Sequence, residues 1–310
     1  MITVYDLIKD FPESIKRSYE FETPKLRNNF KRIIVVGMGA NYNAGLLLKQ
    51  FLRDELPVEV FTRPTKMVDS KTLVVLMSYS GNTKEVINAF NKIEHKKNFL
   101  IITSGGKLLK IAKKARVKII KLPEDLHHRF TFCECFFPLL KCLEMAGIAK
   151  SREEIIKDLP RLLRRKERKI EKIAHKLALK IKNKTPLFYA TNYFWPVAYR
   201  FQASLEEDVK IICHANNLTE LFHNELEALP KAKFYPFLFI DKRESGPFKK
   251  QIKFFKKRLK HYYEFPFYKY FRIERTFLAF YFAYFLAFYL SRIKHAVMGK
   301  TPISDKIKGL

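Results

Sequence analysis

The most chemically pointed stretch of the chain gathers three hydroxyl groups around one glycine. Ser78-Tyr79-Ser80-Gly81-Asn82-Thr83 follows the apolar run TLVVLM and opens a segment with helical periodicity. A helix N-terminus offers unpaired N–H groups and the positive end of its dipole, and added hydroxyl donors suit a phosphate. One hydroxyl suffices to cap a helix. Three of them, Ser78, Ser80 and Thr83, placed around Gly81 point to anion binding instead. A second glycine turn, GMGANYNAG at 37–45, follows the β-branched run KRIIVV. Taken alone, a glycine turn after a strand has many uses, dinucleotide binding among them. The acid that would hold a ribose about 20 residues further on is missing. Thr62 and Arg63 stand there, which argues against NAD.

These loops need a scaffold, and the surrounding pattern supplies one. Over 30–148 the runs KRIIVVG, VEVFT, TLVVLMS, NFLIITS and VKIIKLP predict five strands, with helices at 44–53, 83–91 and 131–146. Near-continuous apolar strands separated by helices predict an α/β fold, a parallel sheet buried on both faces. Ligands of such sheets bind at the carboxyl ends of the strands, where both glycine loops fall. A long basic helix is predicted over 151–184, with Leu163, Ile170, Ile173, Leu177 and Ile181 along one face. The pattern then restarts, with strands at PLFYA, IICHA, PFLFID and EFPF and helices at 194–207, near His223, at 248–260 and at 274–296. The expected organisation is an N-terminal helical segment 1–29, a first domain 30–150, a connecting helix 151–184 and a second α/β domain 185–310.

Composition narrows the field. The chain has 310 residues, with 60 Lys+Arg against 31 Asp+Glu, a formal charge of +29. With 47% apolar residues it can build sizeable cores and does not read as disordered. Four cysteines are too few for a disulfide scaffold and imply a reducing, cytoplasmic setting. Cys133 and Cys135 lack metal spacing, and no metal or cofactor is called for. The first 20 residues carry charges throughout and do not read as a signal peptide. The 14-residue apolar stretch FLAFYFAYFLAFYL at 277–290 is shorter than the ~20 residues of a membrane span and reads as a core or interface helix. Much of the positive charge sits in 161–184 and 248–260, both amphipathic. The adopted reading is a solvated basic face on each, which gathers anionic substrates; a weak polyanion-binding surface is the alternative. Neither a nucleic-acid nor a membrane partner is expected.

SYSGNTKE closely resembles the signature of SIS (sugar isomerase) domains, which bind phosphosugars. The loop at 37–45 resembles the glycine loop beside the same sugar, with Gly39 kept and Asn41 where the family has Ser. In the second half PVAYRFQASLEEDVK and Glu220-Leu221-Phe222-His223-Asn224-Glu225 resemble elements of bifunctional phosphoglucose/phosphomannose isomerases. Glu207 and His223 lie sixteen positions apart, which matches that family's spacing, and GKTPISDKIKGL resembles its tail, with Lys300 in place of an Asp. The resemblance implies two SIS-type, flavodoxin-like parallel-sheet domains in tandem.

Aldose–ketose isomerisation moves a proton between C1 and C2 of an open-chain sugar through a cis-enediol. The resemblance gives that proton to Glu207, with Glu206 the neighbour most easily confused with it; on an α-helix only one of the two can face a site. It gives ring opening to His223, contributed to a neighbouring subunit of a homodimer, with Lys308 assisting. Arg129, in Leu122-Pro123-Glu124-Asp125-Leu126-His127-His128-Arg129, would stabilise the enediolate, although Asp125 replaces the family's Gly. Thr301 would leave room for both C2 epimers, adding mannose 6-phosphate to glucose 6-phosphate as substrate. Two other functions stay open at this point: an isomerase like that of glucosamine 6-phosphate synthesis, and a non-catalytic phosphosugar-binding regulator.

Overall fold

The protein is described by a computed structural model covering residues 3–63, 68–94, 96–228, 233–303 and 306. The chain folds as two compact units, Lys9–Pro160 and a second made of Arg161–Leu310 with Met1–Ile8. Two short helices, α1 (Val4–Lys9) and α2 (Phe11–Glu20), open the chain.

In the first unit β1 (Arg32–Gly37), β2 (Val58–Phe61), β3 (Thr72–Met77), β4 (Phe99–Thr103) and β5 (Lys118–Lys121) form one parallel sheet, ordered β2-β1-β3-β4-β5. Between them run α3 (Ala40–Phe51), α4 (Lys84–Lys92) and α5 (Gly106–Lys114), and α6 (Phe132–Met145) follows β5. β3 and β4 are buried along their whole length, as a sheet covered on both faces requires. On one face Ile34, Val36, Val74, Leu76 and Ile101 pack against Val86, Ala89 and Phe90 of α4 and Leu108 and Ala112 of α5. α3 packs on β1, β2 and α6, and α2 packs on α6.

The long α7 (Glu153–Ile181) leads into the second unit. There β6 (Thr185–Ala190), β7 (His214–Asn217), β8 (Phe234–Phe239) and β9 (Tyr263–Glu264) form a parallel sheet ordered β7-β6-β8-β9. Its helices are α8 (Trp195–Ser204), α9 (Leu218–Asn224), α10 (Gly246–Arg258) and α11 (Arg272–Ile293). Alternate strand residues face opposite layers. Leu187, Tyr189, Leu238 and Ile240 meet Leu218 and Leu221 of α9 and Ile252 and Phe255 of α10. Phe188, Phe237 and Phe239 face the other way, with their ring centroids 5.3, 6.4 and 4.8 Å from that of Phe201 on α8.

α11 is long and apolar enough to cross a membrane by length and composition, but from Arg275 to Ala287 every residue is buried in the protein. Ala279, Ala283 and Ala287 are buried with it. Two acids in the basic stretch of α7 after Pro160 serve this unit. Glu167 accepts from Tyr281 at 2.5 Å, and Glu171 accepts from Tyr289 and Tyr5, each at 2.7 Å.

Several elements differ from those the sequence predicts. α3 begins four residues before the expected 44. α5 is an addition, because its lysines obscure the short apolar face of Leu108 and Ala112. The strand predicted at IICHA lies later, at His214–Asn217, and Ile212 is 88% exposed. An apolar run alone does not fix a strand. EFPF contributes only Glu264 to β9; Phe265 turns onto Phe282 of α11, with ring centroids 5.8 Å apart. The helix expected at 194–207 ends as α at Ser204 and continues as a π-helical turn, Leu205–Val209.

Candidate functional site

The hydroxyl-rich loop sits at the carboxyl end of β3, as expected. Ser78 is buried, and its Oγ lies 2.8 Å from Oγ1 of Thr83. One hydroxyl hydrogen is used within this pair and the other remains to be donated. Thr83 is also the N-cap residue of α4, yet its side chain makes no bond to the helix's own N–H groups. The first turn of α4 therefore keeps its donors and its dipole for an anion. Ser80 is exposed, and its Oγ accepts from the Asn82 amide at 3.3 Å.

Glycine is required where this loop meets the next. Gly81 has φ +66°, and a Cβ there would stand 1.8 Å from the carbonyl oxygen of Gly105. Leu108 N–H donates to the Gly81 carbonyl at 2.8 Å, and Lys107 N–H donates to Oδ1 of Asn82 at 3.1 Å. Asn82 therefore helps cap α5, a role its place beside Thr83 did not suggest. The pair Gly105-Gly106, which punctuates the chain between strand and helix, was the available signal for this second loop.

Beside it, the loop after β1 also ends on an uncapped helix. Gly39 is the N-cap residue of α3 at φ +56°, ψ −121°, a conformation that only glycine adopts readily. Oδ1 of Asn41 is buried and meets no hydrogen-bond donor. Arg129 follows β5 on a 3₁₀ turn, His128–Phe130, and is half-buried; its N–H donates to Nδ1 of His127 at 3.4 Å. Gly39, Ser78, Ser80, Thr83 and Arg129 thus belong to loops beyond the carboxyl ends of β1, β3 and β5 of one sheet, and Asn41 to the first turn of α3 that follows the first of them.

In the second unit Glu207 lies on the π-helical turn and is exposed. Glu206 is exposed as well and accepts from Gln202 Nε2 at 2.9 Å. α8 runs back antiparallel to the strands, which puts this turn near the amino edge of its sheet. The carboxyl-edge rule does not find it. π-Turns of this kind occur often at functional positions.

The turn also holds the tail. Asp208 is buried and accepts from Gly299 N–H at 3.2 Å, while Lys210 Nζ donates to the Glu207 carbonyl and, at 2.6 Å, to that of Lys300. The next residue, Thr301, is buried. Lys308 lies outside the described residues.

His223 is exposed near the end of α9, in the layer on the opposite side of the sheet from α8. It is not grouped with Glu207 in its own chain. Its neighbour Glu225 accepts from Tyr189 Oη at 2.6 Å, Asn216 Nδ2 at 2.5 Å and His214 Nε2 at 3.0 Å. Burial works to raise the Glu225 carboxyl; the three donors outweigh it and hold it below its ordinary value. This network pins the end of α9 to β6 and β7. Tyr189, His214 and Asn216 carry no motif, and only folding brings them to Glu225. All four cysteines are buried free thiols. Among the described residues no cluster of His, Cys, Asp and Glu is arranged to hold a metal ion.

Comparison with known proteins gives the family and the fold. The SIS domain model matches residues 26–133, and the model of the bacterial phospho-glucose isomerase C-terminal SIS domain matches residues 170–309. The chain is 30% identical over 253 residues to a bifunctional phosphoglucose/phosphomannose isomerase of Caldicellulosiruptor bescii, covering 76% of this chain and 75% of that protein. It is 32% identical over 232 residues to a D-glucosamine-6-phosphate 4-epimerase of Sulfolobus acidocaldarius, covering 73% and 72%. Among solved structures, the C-terminal domain of glucosamine-fructose-6-phosphate aminotransferase from Francisella tularensis superposes with a TM-score of 0.71 at 16% identity, covering 95% of this chain and 97% of that one. At that identity the likeness speaks for the fold. Two SIS domains in tandem are thus the class of protein. The chain belongs to the SIS family, in the branch of the bifunctional phosphoglucose/phosphomannose isomerases.

Proposed function

We propose that this protein is an aldose–ketose isomerase that interconverts glucose 6-phosphate, and mannose 6-phosphate, with fructose 6-phosphate. The observation that carries the reading is the phosphate-shaped loop after β3: paired Ser78 and Thr83 hydroxyls in front of an α4 terminus with no side-chain cap. Ser78, Ser80 and Thr83 hold the phosphate, with Gly39 and Asn41 beside the sugar. Glu207 carries the proton between C1 and C2, and the Arg129 guanidinium offsets the charge that develops on the enediolate oxygen. His223 opens the ring with help from Lys308, and Thr301 leaves space for both epimers at C2.

As the resemblance implies, His223 acts in the neighbouring subunit of a homodimer, a reading supported by its place in the layer opposite Glu207. The reaction needs only proton transfers, and the residues proposed for it supply them. Four buried free thiols suit a reducing, cytoplasmic compartment.

A coupled assay with fructose 6-phosphate tests the reading. Glu207→Gln is expected to lower kcat by roughly 10²–10⁴ with KM little changed, the scale of losing a general base. Unchanged turnover would reject the assignment. The Sulfolobus relative favours a second reading, epimerisation of a 2-amino-sugar phosphate at C4. Incubation with glucosamine 6-phosphate, followed by product analysis, separates the two.

A further inference from the structure

Tyr79 stands in the middle of the phosphate loop, yet its side chain leaves that loop. It reaches the segment that follows β5, two strands away in the sheet order. Its Oη lies 3.0, 2.9 and 3.1 Å from the carbonyl oxygens of Pro123, Glu124 and Leu126, and it accepts from Leu126 N–H at 3.0 Å. A single phenolic hydrogen is thus shared among three carbonyls, while the oxygen holds one amide. The main chain of the same residue is tied to the loop between. Its carbonyl accepts from Ser104 N–H at 2.9 Å and from Ser104 Oγ at 2.7 Å. One residue therefore joins the three loops that follow β3, β4 and β5.

The segment it holds lies at the surface, where Lys121 Nζ also pairs with the Glu124 carboxylate at 2.5 Å. Pro123, Glu124 and Asp125 are exposed, and Leu126 is half-buried. Three residues further along, the chain reaches Arg129. Setting Leu126 therefore sets the start of the 3₁₀ turn that presents the guanidinium. A fixed cation stabilises developing charge because it need not reorganise when the charge forms, and an error of about 1 Å in its position forfeits much of that benefit.

We propose that Tyr79 is a positioning residue: through its hydroxyl it registers the Arg129 turn against the phosphate loop, so that the grip on phosphate and the stabilisation of the enediolate are set by one side chain. The proposal rests on the role given to Arg129 above. It assigns Tyr79 no contact with the sugar.

Tyr79→Phe keeps the ring and removes only the link. Turnover of fructose 6-phosphate is expected to fall about tenfold, the scale of one hydrogen bond. KM and the inhibition constant of inorganic phosphate should stay within about twofold, because the Ser78–Thr83 grip is untouched. A variant that merely loosened the fold would weaken phosphate binding too. Hydrogen exchange should quicken in the 123–130 peptide and remain unchanged in the peptide carrying β3.

The double variant with Arg129→Ala completes the test. Tyr79→Phe should add nothing to the loss caused by Arg129→Ala. Unchanged kcat in Tyr79→Phe, a parallel loss of phosphate affinity, or multiplicative losses in the double variant would each overturn the proposal while leaving Arg129 in place. Full turnover in Arg129→Ala alone would overturn the arginine's role, and this inference with it.

Discussion

The loops after β3 and β8 hold the same place in their two sheets, each beside the strand that opens the unit, and they treat negative charge in opposite ways. After β3 the chain offers hydroxyls, a glycine turn and an α4 terminus without a side-chain cap. After β8 it places a carboxylate of its own, Asp241, which is buried. Asp241 accepts from Arg272 Nε at 2.6 Å and from Arg243 N–H at 3.1 Å, and Arg275 donates to the adjacent Ile240 carbonyl at 3.0 Å. The carboxyl edge of a parallel sheet is hospitable to an anion in both units. Sequence decides whether the anion is built in or left to a ligand. A built-in anion stabilises its own fold; donors with no carboxylate of the chain beside them suit a substrate that brings the charge.

This contrast can be broken at either end. The largest effect is expected from Asp241→Asn. Removing one partner of a buried ion pair costs ~3–5 kcal/mol, so urea denaturation should show a loss of that order, with phosphate affinity unaltered. Next comes the glycine turn of the binding loop. Gly81→Ala combines a positive φ with a Cβ 1.8 Å from the Gly105 carbonyl, and a cost of ~3–4 kcal/mol with loss of phosphosugar binding is expected. Gly246, its counterpart at the start of α10, has φ +59° and open space around the Cβ position. Gly246→Ala should cost only ~1 kcal/mol in the same measurement and leave binding intact. Equal losses at the two glycines would remove the distinction between the loops.

A second buried carboxyl sharpens the comparison. Glu134 on α6 is 3% exposed, and its Oε2 meets no hydrogen-bond donor. Burial pushes its carboxyl up to about 7, with Arg17 opposing and Asp10 adding to the shift. A carboxyl raised in the folded state keeps its proton while the unfolded chain loses its own. Stability is therefore fully present below the unfolded value and falls as pH rises to about 7. Glu134→Gln should be more stable than the parent by up to roughly 3 kcal/mol at pH 8, with the advantage vanishing near pH 4. Parallel stability curves for the two proteins across that range would contradict this. On stability the smallest effect belongs to the exposed hydroxyl: Ser80→Ala should leave the melting temperature unchanged and weaken binding of a phosphorylated sugar about tenfold, the lower end for a bond to a charged group. Equal affinity would make Ser80 a turn residue only.

The parts of this molecule that could be read in advance are those whose signal is local. Ile33–Val36 and Leu73–Met77 are apolar without interruption and had to be covered on both faces. Ser78, Ser80 and Thr83 carry their chemistry within six residues. The unreadable parts depend on partners distant in sequence. Tyr79 finds the 123–126 segment 44 to 47 residues away, and the Asp241–Arg272 pair spans 31. The π-turn under Glu207 was hidden for another reason: helical periodicity assumes the α spacing and cannot register one that lapses at Leu205. The strand expected at IICHA lies later in the chain because apolar character gives no register when only one edge pairs.

The central claim is that Glu207 moves a proton at C1 and C2 of a hexose held by its phosphate. Its most direct test is to follow fructose 6-phosphate in deuterated water by NMR, with the parent protein and with Glu207→Gln. The parent should yield glucose and mannose 6-phosphates carrying deuterium at C2, and the variant should slow both product formation and exchange by roughly 10²–10⁴. Undiminished exchange in the variant, or an inert fructose 6-phosphate beside glucosamine 6-phosphate epimerised at C4, would contradict it.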